Sequence, residues 1–204
     1  MKSKLFAVMF FWTSLVVANQ ALAQPSIELD PDTDTLDGAG SISVDINITG
    51  LTGTGPFVGG YDLDFEYDSS IFSGVMATPG ASLGAPADSL FGTTDFSFST
   101  FGILNLFEVS FVFDLEPLQG GLTEFTLATI DLFRADPSSG TGTTAFSTSI
   151  FSVSDDLGGS LSIASNPGAE ITLTDGAASV PAPATALLLL GALFGMGLRS
   201  RRAR

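Results

Sequence analysis

The chain has 204 residues, with 22 acidic and 7 basic side chains for a net charge of −15, and it contains neither cysteine nor histidine. Without cysteine there is no disulfide framework, no lipid-modified cysteine and no thiol nucleophile. The acidity argues against nucleic acid and anionic lipid surfaces as partners.

Residues 1–23 read as a secretory signal peptide. Lys2 and Lys4 form the positive start and Leu5 to Val17 the apolar run, and Ala21-Leu22-Ala23 is a small-x-small cleavage site, with Ala21 and Ala23 as its determinants. An apolar run of this length is too short to span a bilayer.

Residues 24–179 are expected to form one domain. All 22 acidic residues and only one basic residue, Arg134, fall within it, a net charge of −21. It also holds fourteen of the eighteen phenylalanines, enough for a sizeable core, and no tryptophan.

Its periodicity is that of strands, with no convincing helical stretch. Ile27 and Leu29 open the first strand. Ile42, Val44, Ile46 and Ile48 alternate with Ser43, Asp45, Asn47 and Thr49. Tyr61, Leu63, Phe65 and Tyr67 alternate with Asp62, Asp64, Glu66 and Asp68, which places both tyrosines on the core side. Between Gly74 and Gly92 one strand is expected near Val75 to Thr78, followed by a long loop. Phe96 and Phe98 come next. A run then follows in which Phe107, Val109, Phe111 and Phe113 share the face assigned to the core. Phe125 to Phe133 is a strand whose parity shifts between Leu127 and Ala128, the mark of a bulge. Ala145 to Val153, Ser160 to Ile163 and Glu170 to Leu173 complete the set. Asp155 to Gly159 is a turn. Eight or nine strands at this spacing predict two packed sheets, a β-sandwich.

Residues 180–204 have three parts: Val180-Pro181-Ala182-Pro183, then fifteen uncharged residues from Ala184 to Leu198, then Arg199, Arg201, Arg202 and Arg204. Fifteen helical residues would rise about 22 Å, short of a hydrocarbon core of about 30 Å. The arginines belong on the cytoplasmic side of such a segment. Two readings stand: a permanent membrane anchor, or a sorting signal that is cut and removed. The short span and the Pro-x-Pro favour the second.

This tail resembles the PEP-CTERM sorting signal of Gram-negative exopolysaccharide producers, a module also known as the ice-binding protein C-terminal domain. Ala182 stands where that signature has Glu. The resemblance implies a C-terminal hydrophobic helix held transiently in the inner membrane and an exosortase-like membrane protease acting at Val180 to Pro183. It also implies delivery to the cell surface or extracellular matrix, among exopolysaccharide or other matrix components.

The segments Ser43-Val-Asp-Ile-Asn-Ile-Thr-Gly-Leu51, Gly60-Tyr-Asp-Leu-Asp-Phe-Glu-Tyr-Asp68 and Phe125-Thr-Leu-Ala-Thr-Ile130 look like the cohesin fold. That resemblance implies a nine-stranded jelly-roll sandwich, related to carbohydrate-binding modules, over roughly residues 26–174.

The chemistry available to residues 24–179 is narrow. Without His, Cys or Lys, the commonest general base, Schiff-base chemistry and the usual transition-metal ligands are missing. Side chains two apart on a strand face lie about 6.6–7 Å from each other, within the roughly 6.5–9.5 Å of inverting glycosidases. Asp62/Asp64 and Asp64/Glu66 meet that distance, but on a solvated face with no sign of a cleft. Asp30, Asp32, Asp34 and Asp37 alternate along a loop in a pattern suited to calcium. Thr35 and Ser41 fail the EF-hand template, and a polar turn is the competing reading. Asp45 with Asp62 and Asp64 would form a second acidic cluster if their strands paired. The expected function is an exported, non-enzymatic surface or matrix protein. The alternative is a carbohydrate-binding or cohesin-like protein-binding module, calcium-stabilised if the acidic loop holds the ion.

Overall fold

The computed structural model describes residues 24–95, 102–138, 140–164 and 167–175. The signal segment with Ala21 and Ala23, the pair Phe96 and Phe98, and the sorting segment from Val180 to Arg204 lie outside the described residues.

Ten strands and one helical turn follow in chain order. They are β1 (Ser26–Pro31), β2 (Thr35–Asp37), β3 (Gly40–Thr49), β4 (Val58–Tyr67), β5 (Ser73–Pro79), β6 (Ser89–Asp95), β7 (Gly102–Ser110), α1 (Glu116–Gln119), β8 (Glu124–Arg134), β9 (Gly142–Asp155) and β10 (Ala169–Thr174). They make a sandwich of a four-stranded sheet, β1-β3-β8-β5, and a six-stranded sheet, β2-β10-β9-β4-β7-β6. All pairs are antiparallel except β2 with β10.

Alternation places the core. Ile42, Val44, Ile46 and Ile48 of β3 and Leu63 and Phe65 of β4 are fully buried. Tyr61 and Tyr67 face inward with them. Phe146 of β9 stacks on Phe65 at 5.7 Å between ring centroids and meets Phe72 at the same distance. The bulge in β8 is where the parity shift put it. Ile46 pairs with Ala128 and Asn47 with Thr126, which leaves Leu127 as the extra residue, and both Leu127 and Ala128 are buried.

Three sequence expectations change. The stretch after β5 is not loop throughout, because β6 begins at Ser89. Ser160 to Ile163 is not a strand; it lies beside the sandwich with single bridges at Ser154–Ser160 and Ser26–Ala164. The third change is the orientation of β7. Its core face carries Gly102, Leu104, Leu106 and Glu108, so Phe107 and Val109 point outward, and Phe111 and Phe113 are exposed beyond its end. Both parities of this run are apolar, so alternation alone could not choose between them. Register chose, by placing Asn105 opposite Asp64 on the outer face.

Candidate docking face

The outer face of the six-stranded sheet is built from four adjacent strands, β9-β4-β7-β6. Register sets its rows. Gly60 lies between Ser154 and Val109, and Val109 meets Leu90. Asp62 lies between Ser152 and Phe107, and Asp64 between Ser149 and Asn105. Glu66 lies between Ser147 and Ile103.

These rows divide the face into two halves. One end is apolar. Leu90 and Val109 are about half exposed, and Phe111 just beyond is 66% exposed. Phe151 is the residue skipped where β9 bulges between Asp62 and Leu63, and it is 63% exposed. The Phe107 ring lies over Gly92, where any Cβ would collide with it. The glycine thus lets an aromatic side chain lie flat along an edge strand.

The other end is acidic and ordered. Asn105 Nδ2 donates to Asp62 Oδ1 at 2.9 Å and to Asp64 Oδ1 at 3.0 Å. Ser147 Oγ and Ser149 Oγ donate to the two oxygens of Glu66 at 3.0 and 2.9 Å. The carboxylates are held in place by neutral donors, so their charge is left for an external cation. The Asn105 amide sits between Asp62 and Asp64, where a glycosidase would need its water or sugar.

Among the described residues no basic side chain answers these acids. Arg134, the single basic residue among those described, is fully buried at the end of β8. Its Nη1 donates to Gly38 O at 3.1 Å and Thr174 O at 2.9 Å, and its Nη2 to Gly140 O at 2.6 Å and to Pro137 O. The cation is solvated chiefly by these carbonyl dipoles, and the carboxylate it attracts is Asp136 on the β8–β9 connection, so it does not offset the acids of the β9-β4-β7-β6 face.

The candidate calcium residues are not brought together. Asp30 is the next-to-last residue of β1, opposite Asp45 in the four-stranded sheet. Asp32 Oδ1 accepts Ser43 N–H at 3.2 Å. Asp34 offers its carbonyl to Thr172 N–H. Asp37 lies on β2 of the other sheet and accepts the Thr174 hydroxyl. The chain crosses between sheets at this point, and the crossing separates the carboxylates. Asp45 is likewise on the opposite sheet from Asp62 and Asp64, where it accepts the Thr129 hydroxyl at 2.6 Å. Among the described residues no three acidic side chains converge on a metal position.

Sequence reasoning missed Glu108. It points into the core of the sandwich between Tyr61 and Phe91 and is fully buried. The Ser89 and Tyr61 hydroxyls lie near enough to favour its ionised form, yet neither carboxylate oxygen has a hydrogen-bond partner. The Tyr61 hydroxyl donates instead to Leu127 O at 3.2 Å. Burial therefore prevails and raises the Glu108 pKa. Burial, with the Glu108 carboxyl beside it, also raises that of Tyr61. The sequence signal was a single charge in a run otherwise read as core.

No family model and no curated protein matches this chain. Solved structures do. The type I cohesin of OlpA from Clostridium thermocellum, solved in a cohesin–dockerin complex, superposes with a TM-score of 0.59 at 13% identity, over 73% of this chain and 98% of its own. The sixth cohesin of scaffoldin B from Acetivibrio cellulolyticus, solved with a Cel5 dockerin, gives 0.57 at 16% identity over 72% and 99%. A type II cohesin from the cellulosome of the same organism gives 0.54 at 17% identity over 72% and 95%. At these identities the likeness concerns architecture, and it shows that the described strands have the fold of a cohesin-type β-sandwich.

Proposed function

We propose that the sandwich is a non-enzymatic protein-binding module and that the outer face of β9-β4-β7-β6 is its docking surface. The observation that carries this is the division of one sheet face into an exposed apolar half and an ordered acidic half with no compensating cation among the described residues. Contiguous apolar surface on a soluble domain marks interaction sites, and charge complementarity sets partner choice and approach rate. The complementary partner presents an apolar ridge flanked by lysine or arginine. Two of the similar cohesin structures were solved with dockerins bound, which supports protein binding as a use of this fold. The glycan-binding alternative has less support, because both tyrosines are buried and the exposed aromatics Phe111, Phe113 and Phe151 lack the polar handle that tyrosine or tryptophan would bring to a sugar ring.

The terminal segments supply the placement in this reading. The leader ending at Ala23 exports the chain. An exosortase-like protease then acts at Val180 to Pro183, with the sandwich outside the inner membrane and available to matrix components.

The test compares three immobilised forms of residues 24–179 against the envelope fraction of the producing cells. They are the parent, an outer-face variant (Leu90→Ser, Val109→Ser, Asp64→Asn, Glu66→Gln) and an opposite-face variant (Glu28→Gln, Asp30→Asn). A protein retained by the parent and the opposite-face variant, and lost with the outer-face variant, is the expected result. Retention that ignores these changes would remove the reading.

A further inference from the structure

We propose that the chain's own segment from Leu187 to Arg204 occupies this outer face whenever that segment is not held in a membrane. The inference rests on the docking-face reading and names what fills the face before a partner does.

Complementarity is the first support. The face is apolar at the Leu90–Val109 end and acidic at the Asp64–Glu66 end. The segment is apolar from Leu187 to Leu198 and then carries four arginines within six residues. Arg134 is buried, so the cations of this chain that could meet the face lie in its terminal segments. The N-terminal pair, Lys2 and Lys4, belongs to the leader.

Reach is the second support. β10 ends at Thr174 in the same six-stranded sheet, two strands from β4. Register places Leu173 beside Gly142 and Phe107 level with Ser152. Ten residues along the strand and three strand spacings across give a separation of about 37 Å. The sixteen residues from Thr174 to Leu190 extend up to about 53–58 Å. The apolar run therefore reaches the Phe107 row with slack, and the arginines then fall back toward Asp64 and Glu66. A tethered ligand of this kind acts at millimolar effective concentration. Docking covers two apolar surfaces at once, and membrane insertion or cleavage of the segment uncovers the face for its partner.

The test titrates a labelled peptide of residues 184–204 into residues 24–179, which hold all ten described strands. Saturable one-to-one binding is expected. Leu90→Ser with Val109→Ser, which leaves the charge unchanged, should weaken it about tenfold or more, a loss of about 1.4 kcal/mol. Asp64→Asn with Glu66→Gln should do the same. Glu28→Gln with Asp30→Asn on the opposite sheet should leave it unchanged. The chain of residues 24–204 should take up no peptide, because its own segment fills the site. Equal binding to every variant, no binding, or equal uptake by the 24–204 chain would overturn the proposal. If the peptide fails while a cellular protein is still lost with the outer-face variant, only this assignment falls and the docking face stands.

Discussion

Arg134 Nη1 donates to the Thr174 carbonyl at 2.9 Å and ties the end of β8 to the end of the last strand of the sandwich. The same guanidinium reaches Gly38 at the end of β2 and the Pro137 and Gly140 carbonyls of the β8–β9 connection. Three segments are thus held by one buried cation. Replacement by Met at similar length should strand those carbonyls, at about 1–3 kcal/mol for each group left unsatisfied. Arg134→Met is expected to lower stability in urea by about 3 kcal/mol or more. A loss within about 0.5 kcal/mol would show that the clip is dispensable.

Phe65 and Phe111 separate core from surface. Phe65 is fully buried against Phe146, whereas Phe111 is 66% exposed. Phe65→Ala should cost about 3–5 kcal/mol, and Phe111→Ala should stay within about 0.5 kcal/mol. Paired urea unfolding curves decide it, and a large loss at Phe111 would restore the sequence-based orientation of that run.

Glu108 predicts a pH dependence of defined sign. Its raised pKa means that the folded chain holds this proton more tightly than the unfolded chain. Its stabilising contribution is full in acid, below the ordinary carboxyl pKa, and is lost as pH rises through the raised value. Glu108→Gln should therefore match the parent near about pH 4 and exceed it near about pH 8. Thermal melts of parent and variant across that range test this. A variant less stable than the parent at the alkaline end would show that the ionised carboxylate is favourable where it sits.

The surface charge predicts a general salt effect. The segment from 24 to 179 carries −21 net charges and its one basic residue is buried, so screening should raise its melting temperature. Calcium and sodium at equal ionic strength should act alike, because no three carboxylates converge among the described residues. A clearly larger shift with micromolar calcium would reveal a site.

The leader predicts a mature start. N-terminal sequencing of the exported protein should begin at Gln24, and intact mass should report whether Arg199 to Arg204 remain attached. A start at Met1 would refute export by this leader.

Much of the sandwich was legible because a strand with one solvated face writes its orientation as a period of two. β3 carries that period from Ile42 to Thr49 and β4 from Tyr61 to Tyr67, so Ile46, Phe65 and both tyrosines are where alternation places them. The bulge at Leu127 was legible for the same reason, since an extra residue must shift parity. The candidate docking face was half legible. Asp62, Asp64 and Glu66 announce a polar face, but nothing local says what lies beside it.

The sequence alone determined the sandwich class, the acidic surface, the single basic residue of the domain, and the apolar-then-basic order of its last segment. Tertiary structure decided the rest, for physical reasons that local pattern does not encode. β7 has apolar residues on both parities, and only the pairing of Asn105 with Asp64 and of Glu108 with Tyr61 decides which face is buried. The acidic loop from Asp30 to Asp37 has calcium-like spacing, but the crossing from β1 to β2 sends its carboxylates to different sheets. Spacing along a chain constrains distance only within one element. Once the chain changes sheets, packing decides which side chains meet.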